Sequence, residues 1–159
     1  MRSTTLSKTA GAALATAALG GLASRPAQSH WYRRLRKPGF QPPRQVFPVV
    51  WPILYADIAV VSASVIDTFN DRGEAAEARS YTRALAVNLA LNAGWSWVFF
   101  NRRRLGGSAV LAGALTASSA DLARRAASAN PTAGVALAPY ALWCAFATVL
   151  STRIWQLNR

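Results

Sequence analysis

The chain has 159 residues, of which 52% are hydrophobic, and carries a formal charge of +12. That length allows one domain or one compact bundle, and the charge is not spread as in a soluble nucleic-acid binder. Basic residues fall in clusters ("YRRLRK", "NRRRL", "LARR") that flank long apolar runs nearly free of charge, which is how membrane proteins place charge.

A bilayer core requires about 20 predominantly apolar residues per helix. In chain order, five segments qualify: 6–24, 46–66, 82–100, 105–123 and 133–155, with one long loop at 25–45. Helices are the reading that satisfies every backbone group in lipid, since the few breaks leave no room for alternating strands. The expectation is an all-α integral membrane bundle of five transmembrane helices, forming a single domain over 1–159. The first segment has two readings. Its basic start, small-residue core and Ala-Ser end resemble a signal peptide; Ala13, Ala17 and Gly21 recur every four residues, as on the face of a packed membrane helix. In the second segment Pro48 falls in the first turn, where a missing donor costs little. Pro52 lies inside and is expected to bend the helix beside Trp51. The fourth segment is nearly all small residues, with Ala109, Gly113 and Ala117 as a close-approach face for a neighbouring helix or a second subunit.

Five spans put the termini on opposite sides of the membrane. The long loop, the loop after the third span and the C-terminus carry eleven basic residues against seven on the other side. This places the long loop and C-terminus in the cytoplasm, of a bacterial cell membrane. Trp31, Tyr32 and Trp155 read as an interfacial aromatic belt, and "NRRR" as an anchor on anionic headgroups. The lone Cys144 excludes an internal disulfide framework, and no His/Cys pattern suggests a zinc site; His30 reads as solvated. Asp57, mid-span, is a functional candidate by its depth. Asp121, with Arg124 and Arg125 one turn on, reads as a local ion pair.

Three stripes carry the candidate chemistry. Phe47, Trp51 and Tyr55 stack on one face of the second span. Asn88, Asn92, Trp95 and Phe99 do so on the third, and Pro139, Trp143, Phe146, Ala147 and Leu150 on the fifth. Any one stripe is also what ordinary helix packing produces. Three together, with two amides that avoid lipid, describe an apolar, flat-walled cavity with a few polar anchors. Such a cavity suits a large planar or polycyclic ligand. Nothing resembles a catalytic triad, a phosphate-binding loop or paired catalytic carboxylates.

The segments "WYRRLRKPGFQPP", "VFPVVWPILY", "LNAGWSWVFF" and "APYALWCAFA" resemble, in order and spacing, the signature of the TspO/MBR family. That family comprises the tryptophan-rich sensory proteins and the mitochondrial translocator protein, and the likeness covers about residues 31–158. It implies a five-helix bundle, commonly dimeric, with a cavity beneath the long first loop. It also implies binding of porphyrins, notably protoporphyrin IX, and of benzodiazepine-type and isoquinoline ligands, with no cofactor or metal required. The pocket positions that match are Trp51, Tyr55, Asn92, Trp95, Trp143, Ala147 and Leu150, with Pro42 and Pro43 in the lid. Light-dependent porphyrin breakdown in some bacterial relatives is attributed to a tryptophan pair, matched by Trp51 and Trp143, the only candidate catalytic residues. Trp97 stands where the family often has proline, Asn88 where glutamine is common, and Ser151 for a frequent asparagine. The C-terminal cholesterol-recognition pattern lacks its tyrosine between Leu150 and Arg153, which argues against cholesterol as native ligand.

The leading functional reading is a membrane receptor or sensor for porphyrins and related tetrapyrroles, with membrane lipid and a second copy of the chain as further partners and no nucleic acid. The alternatives are a light-dependent porphyrin-degrading enzyme and a tetrapyrrole transporter.

Overall fold

The structure, a computed structural model describing residues 1–159, has helices and no strands. Helix α1 (Ser3–Ala23) is followed by a 3-10 turn (Arg25–Gln28) and the short α2 (His30–Arg34). Then come α3 (Phe47–Asp71), α4 (Ala75–Phe100), α5 (Leu105–Ala129) and α6 (Pro131–Leu157). The long helices run past the apolar segments, because polar residues at their ends still gain helical hydrogen bonds. Around the bundle the order is α1, α3, α6, α5, α4 and back to α1, with α3 also touching α4 and α5 across the interior.

Each connection has a local cause. After α3, Gly73 adopts φ 75°, and Gly73 and Glu74 donate back to Asn70 O and Phe69 O. That is a Schellman ending, which needs the left-handed conformation glycine supplies. Asn130 caps α6 by accepting from Thr132 N at 3.0 Å, with Pro131 in the first turn. Pro52 and Pro139 lie inside continuous helices.

Small residues set how closely the helices approach. On α1 the packed face is Thr9, Ala13, Thr16, Gly20 and Ala23. Gly21 points outward with nothing near it, which corrects the expected Ala13–Ala17–Gly21 face. On α5 it is Ser108, Ala112, Leu115, Ser119, Leu122 and Ala126 that are buried. Of the expected face only Ala109 is buried, and Ala117 is exposed. The tightest approach is between α5 and α6, where a Cβ on Gly134 would lie 2.6 Å from Ala127 Cβ and 3.0 Å from the Ala123 carbonyl. Helix α1 is a working part of the bundle: Thr9 Oγ1 donates to the Ala59 carbonyl of α3 at 2.8 Å. At its start the Arg2 amide and Thr5 Oγ1 both donate to Asp67.

The bundle holds several polar side chains within its largely apolar core and shows an apolar exterior. Asn88, Asn92, Ser62, Ser108 and Ser119 are buried. Leu14, Ile53, Val87, Val110 and Leu142, one on each long helix, are 57–75% exposed. A surface ring of large aliphatic side chains on every helix is costly in water and favourable in hydrocarbon. By hydropathy alone only α3 and α6 pass as spans, at means of 1.9 and 1.7. Helix α1 is less apolar because of its Gly, Ser and Thr, while α4 and α5 also carry Arg79, Arg83, Asn88 and Asn92, and Asp121, Arg124 and Arg125.

Candidate ligand-binding site

At the end of the bundle beneath the loop, side chains of α3, α4 and α6 enclose a small apolar chamber. Its walls are Phe47 and Trp51 from α3, Trp95 from α4, and Trp143, Phe146, Ala147 and Leu150 from α6. The four-residue spacing of Phe47 and Trp51 puts both on one face, and Trp143, Phe146, Ala147 and Leu150 form the matching stripe of α6. Phe47 and Trp143 meet edge-on at 5.9 Å. Trp51 and Trp143 meet at 6.5 Å with planes 89° apart. The space left is about 30 Å³, room for little more than a water or two. Its lining is wholly apolar, and one of the lining residues, Trp95, carries a buried Nε1–H with no acceptor. A buried indole N–H normally finds a partner.

Below the chamber a directed chain of hydrogen bonds crosses the bundle. Tyr55, whose ring stacks under Trp51 at 5.5 Å, donates from Oη to Asn92 Oδ1 at 2.8 Å. Asn92 Nδ2 donates to Tyr140 Oη at 3.2 Å, and Tyr140 donates to Asn88 Oδ1 at 2.7 Å. Asn88 Nδ2 ends the chain on Ser119 Oγ at 3.0 Å and Ser118 Oγ at 3.2 Å. Tyr140 thus bridges α6 to α4, which are not neighbours around the ring. Networks of this kind, fully satisfied in a low-dielectric interior, specify one packing of the helices.

Above the chamber lies an aromatic roof. Phe99 stacks on Trp95 at 5.6 Å and meets Trp31 and Tyr32 of α2 edge-on at 6.2 and 6.3 Å. Phe40 of the loop meets Phe146 at 6.3 Å. Two cations sit on roof rings: Lys37 Nζ lies 4.2 Å from the Tyr32 centroid and the Arg103 guanidinium 5.3 Å from Trp31. Desolvation and the nearby charge of Arg44 hold the Lys37 ammonium below the usual lysine range. The loop is tethered by one residue: Asn158 Oδ1 accepts from Arg36 N at 2.9 Å, and its Nδ2 donates to Arg36 O at 2.8 Å. Asn101 makes a similar bond to the Ala23 carbonyl at 2.8 Å.

The structure therefore brings together seven of the predicted site residues and moves the others. Asn88 and Asn92 are 0% and 2% exposed, with their amides consumed in the network, so they form a floor and are not the polar anchors expected on the wall. Tyr55 is the link between wall and floor. Phe99 belongs to the roof. Pro42 and Pro43 lie in the loop and line no part of the chamber; Phe40 is the loop residue over it. Pro139 is exposed. Trp31 and Tyr32 are half-buried in the roof and so do more than mark the interface. Trp155 packs over Gly106, where a Cβ would come within 3.1 Å of its Nε1. Asp57 is half-buried on α3, outside chamber and network, with Oδ2 unpartnered. Asp121 pairs with Arg124 and Arg125 at 2.6 and 2.5 Å. Tyr140 and Asn158 join the site from outside the predicted stripes; the Tyr140–Trp143 spacing within "APYALW" is the available signal for the former.

The TspO/MBR family pattern matches residues 9–156. The translocator protein of Bos taurus is 34% identical, over 89% of this chain and 82% of its own length. An uncharacterized membrane protein of Bacillus subtilis (strain 168) is 31% identical, over 84% of this chain and 83% of its own. The tryptophan-rich sensory protein of Cereibacter sphaeroides is 30% identical, over 80% and 77%. A match of this extent, on a helical bundle with an apolar exterior and a tryptophan-lined chamber, shows that the chain is a membrane protein of the TspO/MBR family.

Proposed function

We propose that all five long helices span the membrane and that the protein is a receptor or sensor whose aromatic chamber takes porphyrins, protoporphyrin IX among them, and related flat hydrophobic molecules. The observation that carries this reading is the convergence of three tryptophans from three helices on one apolar chamber; one of them, Trp95, carries a buried N–H with no acceptor. Flat indole faces match a macrocycle, and an acceptor on the ligand would satisfy that donor. The names of the relatives, translocator protein and tryptophan-rich sensory protein, agree with such a role. Lys37 and Arg103, held over the roof rings, stand ready for propionate carboxylates.

Ligand sites usually measure about 300–1,000 Å³, and the chamber holds about 30 Å³. A macrocycle therefore enters only after Phe47 and Phe146 turn aside and Phe40 lifts with the loop, so the conformation described is a closed one. Apparent affinity then includes the free energy of opening. The test is a titration of the detergent-purified protein with protoporphyrin IX in the dark. Saturable quenching of tryptophan fluorescence is expected. Trp51→Phe with Trp143→Phe should weaken binding by about tenfold, at roughly 0.5–1.5 kcal/mol per aromatic contact. Following the porphyrin absorbance keeps a reporter once the indoles are gone. Quenching that never saturates would remove the proposal.

The perpendicular contact of Trp51 with Trp143 favours a second reading, light-dependent oxidation of the bound porphyrin by dioxygen beside that pair. Product formed under light at an unchanged rate in the double variant would exclude it. The cytoplasmic placement of the loop belongs to the same proposal. It is checked by thiol labelling of Gln45→Cys, exposed on the loop, in intact cells, because the native Cys144 is buried. A homodimer is checked by crosslinking in membranes.

A further inference from the structure

A recess roomier than the chamber lies elsewhere on the bundle. On the flank, towards the end away from the loop, α4 and α5 leave an open groove of about 320 Å³ between them. Helix α4 lines it with Ser80, Arg83, Ala84 and Val87, a stripe that is polar at its outer end and apolar towards mid-bundle. Across from the polar end stand Asp121 and Arg125 of α5, and Ser118 stands deeper.

Donors dominate the polar end. Arg125 donates from Nη1 to Ser80 Oγ at 2.8 Å and from Nε to Asp121 at 2.5 Å, which leaves its Nη2 uncommitted. The other Asp121 oxygen is held by Arg124 at 2.6 Å, so the one carboxylate here is already engaged. Arg83 lines the groove and makes no ion pair and no side-chain hydrogen bond. Three guanidiniums around one carboxylate leave the region positive. Uncommitted guanidinium N–H groups in a fork suit the oxygens of a phosphoester.

We propose that this groove binds the headgroup of an anionic phospholipid, with its phosphate on Arg83 and the free Nη2 of Arg125, and an acyl chain along Ala84 and Val87. The groove opens sideways from the bundle, along the helix axes, where the neighbouring surface is aliphatic: Val87 is 57% exposed. A soluble phosphate would use the polar end and leave the apolar end uncovered. A lipid uses both, as basic recesses between membrane helices do.

The test is thermal unfolding of the full-length protein in neutral phosphatidylcholine mixed micelles, titrated with phosphatidylglycerol. Saturable stabilisation by phosphatidylglycerol is expected. Arg83→Ala should lower its apparent affinity about fivefold, the effect of roughly one basic group at a membrane surface, without changing the melting temperature in phosphatidylcholine. Arg83→Lys should keep most of the affinity. Arg79→Ala, exposed on α4 but outside the groove, should leave it unchanged. An equal lipid response in Arg83→Ala, or an equal loss in Arg79→Ala, overturns the site. Full stabilisation by inorganic phosphate or glycerol 1-phosphate at the same concentration would overturn the lipid assignment in favour of a soluble phosphoester.

Discussion

The two ends of the bundle are closed by different chemistry. Beneath the loop the closing groups are rings: Trp31, Tyr32, Phe40, Phe99 and Phe146 meet edge-on or tilted at 6.2–6.4 Å, and one asparagine tethers the loop. At the other end the closing groups are ion pairs, a glycine turn and small residues in near backbone contact. Arg2 pairs with Asp71 at 2.5 Å, Arg72 donates to the Ala129 carbonyl at 2.8 Å, and Gly134 lies against Ala127. Aromatic contacts are shallow in orientation, each about 0.5–1.5 kcal/mol beyond burial, and rings can turn from one packing to another. Interlocked small residues have no rotamers through which to yield. Space for a ligand can therefore open at the loop end, while the far end holds the helices in register.

That contrast can be broken by substitution. Gly134→Val should have the largest effect, about 3 kcal/mol of destabilisation, because its Cβ alone overlaps Ala127; thermal unfolding in detergent reads it. Asn88→Leu, at the junction of the two halves, should cost about 2 kcal/mol by stranding the Tyr140 hydroxyl. Asn158→Ala should cost only about 1 kcal/mol, and its main effect should be faster hydrogen exchange at residues 33–41. If it lowers the melting temperature as much as Gly134→Val, the two ends are not different in kind. Phe40→Ala should be the mildest for stability, within about 1 kcal/mol, while speeding porphyrin association in stopped-flow measurements. An unchanged association rate would mean the loop does not gate the chamber.

Much of the site was legible because a membrane helix arranges residues by angle. Four-residue spacing puts Phe47 and Trp51 on one stripe, and Trp143, Ala147 and Leu150 fall into the matching stripe of α6. The same rule misleads over distance. A strict four-residue repeat drifts about 40° per step on a 3.6-residue helix, so Gly21 has rotated outward from the face that Ala13 occupies, and Gly20 takes its place. Asn88 and Asn92 share a stripe with Trp95, yet depth along the axis separates them from the chamber. Only the partner that each amide finds on α3, α5 and α6 shows this. Asn158 carried no local signal, since its role depends on a loop backbone more than a hundred positions away in the chain.

By itself the amino-acid sequence determined the all-helical architecture, the outward apolar belt, the family and which helix faces carry rings. Those follow from backbone hydrogen bonding in lipid and from helical periodicity, which are local. The tertiary structure alone decided that the rings close on a space as small as about 30 Å³ and that Tyr140 bridges α6 to α4. It also decided that a positive groove lies open between α4 and α5. These depend on how far apart helix axes sit and at what depth side chains meet, quantities set by the summed packing of all five long helices and by no single segment.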